Sequence, residues 1–216
     1  MPLNPHKYSV MCITLDGLAL SHEEQAARLC EAGARWIQFR HKGATLEAWT
    51  KLAREVVLVC RSHGAVCIVN DSVDVALASG ADGVHLGKQD EDWVTARRRL
   101  GRSLLLGGTV NNADEAARAI LANCLDYVGV GPWRFTHTKQ NLAPILGEAG
   151  VRSLVAMLDG LPAWVIGGIE PADLPAIRAT GAAGVAVSSG LFRDGQVTTN
   201  FKNYAHAWLD DQSCSI

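Results

Sequence analysis

Short apolar runs alternate with longer stretches of helical period along almost the whole chain. Val10 to Thr14 is an apolar run broken by Asp16-Gly17, which reads as a buried strand and a turn. Ser21 then caps a helix, with Glu24 three positions on and Ala26, Ala27, Leu29 and Cys30 on its apolar side, until Gly33 ends it. Trp36 to Arg40 reads as a second strand, in which period two places Gln38, Arg40 and Lys42 on one face and turns His41 the other way. Thr45 to His63 carries Leu46, Trp49, Leu52, Ala53 and Val56 on a single stripe, the signature of a core-facing helix.

The same alternation continues to the end. Val66 to Val69 is a strand, Val73 to Ala78 a short helix and Gly83 to Leu86 a strand; Asp92 to Leu100 is a helix whose Arg97, Arg98 and Arg99 form a solvated basic face. Leu104 to Leu106 is a continuous apolar run, as for a strand covered on both faces, ending in Gly107-Gly108-Thr109. Ala113 to Leu121 is helical, Tyr127 to Gly131 is a strand, and residues 132–150 form a loop without periodicity before a helix over Val151 to Leu158. Ala163 to Ile166 is a strand ending in Gly167-Gly168, Pro171 opens the next helix, and Val185 to Val187 is a strand ending in Ser188-Ser189-Gly190. Phe201 to Leu209 is the last helix, and a tail from about 211 to 216 is expected to fray.

About eight strands alternating with about eight helices is the pattern of an α/β protein of the (β/α)8 TIM-barrel type, here one domain over residues 1–216. A doubly wound sheet is the competing architecture. No GxGxxG follows the first strand, and the Gly-Gly and Ser-Ser-Gly ends of the last two strands look like the phosphate cradle that barrels build from those loops.

Composition narrows the partners. With 216 residues, 48% of them apolar and 19% charged, the chain can bury a core of barrel size. Its 20 basic and 22 acidic residues leave a formal charge of −2, which attracts neither nucleic acid nor an anionic membrane in general, so any anion must be bound locally. Six scattered cysteines lack CxxC or Cys/His ligand spacing and read as reduced core residues. No apolar run reaches about 18 residues and the first residues lack a signal-peptide pattern, so the expectation is a soluble cytoplasmic protein. Oligomeric state, including a possible homo-oligomer, is left open.

The polar residues collect at the C-terminal strand ends. They are Gln38, Arg40 and Lys42 from strand two, Asn70 and Asp71 from three, His85 and Asp90 from four, and Thr109 from five; Thr136, Thr138 and Lys139 follow six, Gly168 follows seven, and Ser188 and Ser189 follow eight. Asp71 and Asp90 hang from neighbouring strand ends. They read either as a helix N-cap and a turn residue or as paired oxygen ligands for Mg²⁺. His85, between Val84 and Leu86, reads as a hydrogen-bonded core histidine or a general base. Three cations, two carboxylates, hydroxyls and two Gly/Ser nests suit two phosphorylated groups, one carrying Mg²⁺, with no nucleophile beside a base.

The set QFRHK (38–42), ND (70–71), GADGVHLGKQD (80–90), GGT (107–109), GPWRFTHTK (131–139), GGI (167–169) and SS (188–189) resembles thiamin phosphate synthases, in their order and over nearly the whole barrel. The resemblance implies a (β/α)8 transferase that couples hydroxymethylpyrimidine pyrophosphate with thiazole phosphate, giving thiamin phosphate and pyrophosphate. It implies that Asp71 and Asp90 hold Mg²⁺, that Arg40, Lys42, Asn70 and Lys139 grip the pyrophosphate, and that Gln38 and Thr109 lie by the pyrimidine. Thr136, Thr138, Gly168, Ser188 and Ser189 would receive the thiazole phosphate. Phe39, His41 and His137 come with the substrate-lining segments without individual roles, and Lys139, Thr109 and Arg40 would carry catalysis. The chain differs from the common family pattern at His41, Thr109 and Phe135, where Glu, Ser and Pro are usual. A thiazole tautomerase, another phosphosugar or anthranilate barrel enzyme and a silent phospholigand sensor are the competing functions; the carboxylate pair with Arg40, Lys42 and Lys139 favours the synthase.

Overall fold

The structure, a computed structural model, describes residues 8–43, 45–135 and 143–209. Eight parallel strands close on themselves in chain order: β1 (Val10–Ile13), β2 (Trp36–Phe39), β3 (Val66–Asn70), β4 (Gly83–Leu86), β5 (Leu105–Val110), β6 (Tyr127–Val130), β7 (Ala163–Ile166) and β8 (Gly184–Val187), with β8 pairing back on β1. Between and after them run α1 (His22–Glu31), α2 (Leu46–Ser62), α3 (Val73–Ser79), α4 (Trp93–Leu100), α5 (Ala113–Ala122), α6 (Gly147–Met157), α7 (Leu174–Ala179) and α8 (Val197–Leu209). The α/β barrel expected from the alternation is the fold observed.

Local chemistry sets the helix starts. Ser21 accepts from the Glu24 N–H while Glu24 reaches back to the Ser21 N–H, the capping box read from sequence. Thr45, Ser72, Asp92 and Asn112 cap α2 to α5 with their side chains. Three boundaries differ from expectation. Helix α6 starts at Gly147, inside the stretch read as loop, and α8 starts at Val197, one turn before Phe201. Strand β5 does not stop at Gly107 but runs through Gly108 and Thr109 to Val110. A side chain at Gly107 would collide with Tyr127 and His85, and one at Gly108 with Trp93 and Leu125, so these glycines make room on both faces of the strand rather than ending it.

Period two divides the core into two layers. Ile37, Phe39, Cys67, Val69, Val84, Leu86 and Val128 point outward and pack under the helices. Tyr8, Met11, Ile13, Trp36, Ile68, Tyr127, Trp164 and Ala186 form the separate inner cluster. Within it Trp36 stands edge-on to Tyr127 (centroids 4.9 Å apart) and to Trp164 (4.7 Å), a favourable arrangement for rings with negative faces and positive edges. This aromatic plug fills the barrel and leaves the C-terminal strand ends as the place for a ligand.

Candidate active site

A cavity of about 230 Å³ opens above the plug. Its apolar floor is Met11, Ile13, Trp164, Ile166 and Ala186, and its polar wall comes from loops at opposite sides of the rim.

On the β2–β4 side, alternation delivers Gln38, Arg40 and Lys42 to the cavity, while Asn70 and Asp71 end β3. Asp71 is not a helix cap. Ser72 caps α3, accepting from the Val75 N–H at 3.2 Å, and Asp71 sits at φ 70°, a left-handed conformation that Asp tolerates better than most residues. Its own N–H donates to the His85 carbonyl at 2.8 Å, so the carboxylate is free to project over the rim, where it pairs with Lys42. Asp90 accepts from the Gly87 N–H at 2.6 Å, which is the turn role, and its carboxyl feels the Asp71 charge. Burial first, and the Asp71 charge after it, push Asp90 up to about 6 against the opposing pull of the Gly87 N–H and Lys42. The turn reading of Asp90 is the one observed, with its Oδ2 accepting from Gly87. Arg40 lines the cavity with no ion-pair partner among the described residues.

The β7–β8 side is built differently. Gly167 (φ 104°) and Gly168 (φ 64°) take positive-φ conformations that favour glycine, a Cβ there would meet Pro132 or Arg134 and Phe135, and the turn lines the cavity with Ser188, Ser189 and Gly190. The Ser188 hydroxyl is buried and has no hydrogen-bond partner among the described residues. A buried hydroxyl left unsatisfied costs about 1–3 kcal/mol. The cations here are already neutralised: Arg193 grips Glu170 at 2.6 and 3.1 Å, and Arg134 reaches Asp173 at 2.6 Å.

Between the two sides lies a hydrogen-bonded pair. His85 Nε2 is 3.0 Å from the Thr109 hydroxyl and Nδ1 is 3.3 Å from the Tyr127 hydroxyl. Burial raises the Tyr127 pKa, so that phenol keeps its proton. His85 is hydrogen-bonded at both ring nitrogens, as the first alternative has it, and also lines the cavity beside Thr109.

Gln38, Arg40, Lys42, Asn70, Asp71, Thr109, Gly168, Ser188 and Ser189 are brought together around one cavity, and Asp90 joins through Asp71 and Gly87. Two residues of the QFRHK segment are elsewhere. Phe39 is fully buried in the outer layer, as strand alternation requires, and His41, beyond the end of β2, turns from the cavity to Asp16, 2.5 Å away. Thr136, His137, Thr138 and Lys139 lie outside the described residues. Asn111, which donates to the Gly131 carbonyl at 2.5 Å, and the Glu170–Arg193 pair also line the cavity and were not anticipated. Asn111 follows β5 directly and was detectable by its place at a strand end, whereas Arg193 lies beyond β8 with no sequence signal to single it out.

Comparisons with known proteins agree with this geometry. Residues 8–191 match the thiamine monophosphate synthase family. A thiamine-phosphate synthase of Bacteroides fragilis is 38% identical over 189 residues, covering 86% of this chain and 92% of that protein. One from Laribacter hongkongensis is 41% identical over 181 residues, covering 84% and 82%. Among solved structures, a thiamine phosphate pyrophosphorylase from Pyrococcus furiosus superposes with a TM-score of 0.85 at 28% identity, over 95% of this chain and 98% of that one. With the family matched over most of its length and the barrel and strand-end residues in place, the chain belongs to the thiamine monophosphate synthase family of transferases and carries the thiamin phosphate synthase function.

Proposed function

We propose that this transferase joins hydroxymethylpyrimidine pyrophosphate to thiazole phosphate by a dissociative substitution. The observation that carries this reading is the asymmetry of one cavity: Arg40, Lys42 and Asp71 on the β2–β4 rim, a glycine turn with a buried Ser188 hydroxyl and the internally paired Glu170–Arg193 on the β7–β8 rim, and an apolar floor between them. An aminopyrimidine can carry positive charge on its exocyclic methylene, so pyrophosphate can leave before the thiazole nitrogen attacks. The protein then has to hold two partners in line and stabilise the charge that departs.

Arg40, Lys42 and Asn70 would bind the pyrophosphate, with Gln38 and Thr109 against the pyrimidine. Gly168, Ser188 and Ser189 would seat the thiazole phosphate. Asp71 and Asp90 fit Mg²⁺: they are hard oxygen donors side by side, their mutual repulsion is what a cation relieves, and both are open enough for water to complete the shell. When bound there, Mg²⁺ would neutralise charge on the leaving pyrophosphate. Lys42, now paired with Asp71, is close enough to exchange that partner for a phosphate oxygen. Thr136 and Thr138 are assigned to the thiazole phosphate and Lys139 to the pyrophosphate on the family resemblance.

The reading places the enzyme in the cytoplasm, in keeping with the free thiols of Cys12, Cys30, Cys60, Cys67 and Cys124. No helix among the described residues is long and apolar enough to cross a membrane. The test is incubation with both substrates and Mg²⁺, measuring pyrophosphate and the coupled product together. Equal amounts of the two are expected. A tautomerase would release no pyrophosphate, and pyrophosphate without coupled product would make the cavity a hydrolase.

A further inference from the structure

Three metal-ligating side chains meet beside the cavity rather than in it. Asp16 lies in the loop after β1, His22 is the first residue of α1, and His41 follows β2; each offers a ligand atom within 4.8 Å of the others. His22 Nε2 is 3.0 Å and His41 Nδ1 2.5 Å from the same carboxylate oxygen, Oδ1 of Asp16. None of the three lines the cavity. The reaction described above leaves them without a task.

We propose that Asp16, His22 and His41 form a second cation site, for a borderline-soft divalent ion such as Zn²⁺, separate from the Asp71–Asp90 pair. Two imidazoles and a carboxylate suit Zn²⁺, with the remaining position left to water. The same set is a poor one for Mg²⁺, which demands oxygen ligands.

A metal requires a bare lone pair on His22 Nε2, and the surroundings allow the tautomer that supplies it: the contact with Thr14 is kept, while the Nε2–H bond to Asp16 gives way to the metal. His22 Nδ1 is 2.9 Å from the Thr14 hydroxyl. That hydroxyl accepts from the Arg40 N–H at 3.1 Å and faces the Arg40 carbonyl at 3.5 Å. With the Thr14 proton turned to the carbonyl, its oxygen accepts from His22 Nδ1–H, and Nε2 is left to ligate. An outer partner on the second ring nitrogen is what fixes the tautomer of a metal-bound histidine.

Without a metal, two N–H groups donate to one oxygen and hold the cluster closed. Zinc–ligand lengths of about 2.0–2.2 Å set tetrahedral donors roughly 3.4 Å apart, so His41 has to draw back by about 1 Å. It is a partly exposed loop residue and has room to do so. The other Asp16 oxygen accepts from the Lys42 N–H at 3.2 Å, so an occupied site would brace the loop that presents Arg40 and Lys42.

The test is calorimetric titration of tag-free protein with Zn²⁺, and visible absorption with Co²⁺, both in excess Mg²⁺. One equivalent of either ion is expected to bind the native protein. His41→Gln and Asp16→Asn should each weaken binding at least about tenfold, with Asp71→Asn unchanged. His41→Gln changes only a partly exposed loop side chain, and its melting curve separates lost ligation from lost structure. Absence of saturable binding to native protein, equal affinity in either the His41 or the Asp16 variant, or loss of binding in Asp71→Asn overturns the site.

Discussion

The two sides of the rim are built from different groups. The β2–β4 side uses ionised side chains: Lys42 on Asp71, Arg40 beside them, and Asp90 driven up to about 6 by burial and its acidic neighbour. The β7–β8 side uses the backbone of Gly167 and Gly168 and the buried Ser188 hydroxyl, with its arginines occupied by Glu170 and Asp173. Fixed dipoles suit a phosphate that is bound and released unchanged. Mobile charges suit a group whose charge grows as its bond breaks, because interactions that strengthen in the transition state are those that raise turnover.

The contrast can be broken from either side. The largest effect is expected at Asp71: Asp71→Asn should lower turnover about a hundredfold or more while leaving the circular dichroism spectrum intact, as measured by pyrophosphate release at saturating substrates. Full turnover at low Mg²⁺ would remove Asp71 from the charged side. Next is Ser188→Ala. A hydrogen bond to a charged group contributes about 1.5–3 kcal/mol, so the dissociation constant for thiazole phosphate should rise roughly ten- to a hundredfold, with little change for the pyrimidine substrate. Equal weakening of both substrates would mean that the two sides are not separate.

The smallest effect is on stability. The Asp90 pKa lies above its ordinary value, so this group's contribution to folding is full below about pH 4 and is lost as pH rises through about 6. Asp90→Asn cannot ionise. In the absence of divalent ions it should melt roughly 2–4 °C above the native protein at pH 7 and coincide with it near pH 4, in scanning calorimetry. A lower melting temperature at pH 7 would show that the Gly87 hydrogen bond outweighs the repulsion. A fourth substitution tests the scaffold under both sides. Gly107→Ala forces a methyl group against Tyr127 and His85 and should cost about 1–3 kcal/mol by denaturant titration, and an unchanged midpoint would mean that the plug yields.

Much of this was legible along the chain because strand geometry is local. Period two was enough to put Gln38, Arg40 and Lys42 on one face and to turn His41 away, and all four lie so. The expectation that Phe39 and His41 line substrate came with a contiguous motif, and alternation overrides contiguity. Gly107-Gly108 read as a strand end because glycine is a common breaker; that it lies inside β5 depends on Tyr127, His85 and Trp93, which reach it from other strands and from α4. The start of α6 was hidden by Gly147 and Gly150, which lower helical propensity where packing forms the helix regardless.

The sequence alone determined the barrel and most of the polar residues that line the cavity at its C-terminal strand ends, since each depends on spacing within one segment. Tertiary structure decided what those residues do to one another. Asp71 is freed from capping by Ser72, Asp90 is raised by meeting Asp71, Ser188 is left unpartnered, and Asp16 gathers two histidines from separate loops. Such effects fall off within a few ångströms, and no spacing along a chain encodes which distant side chains end within that range.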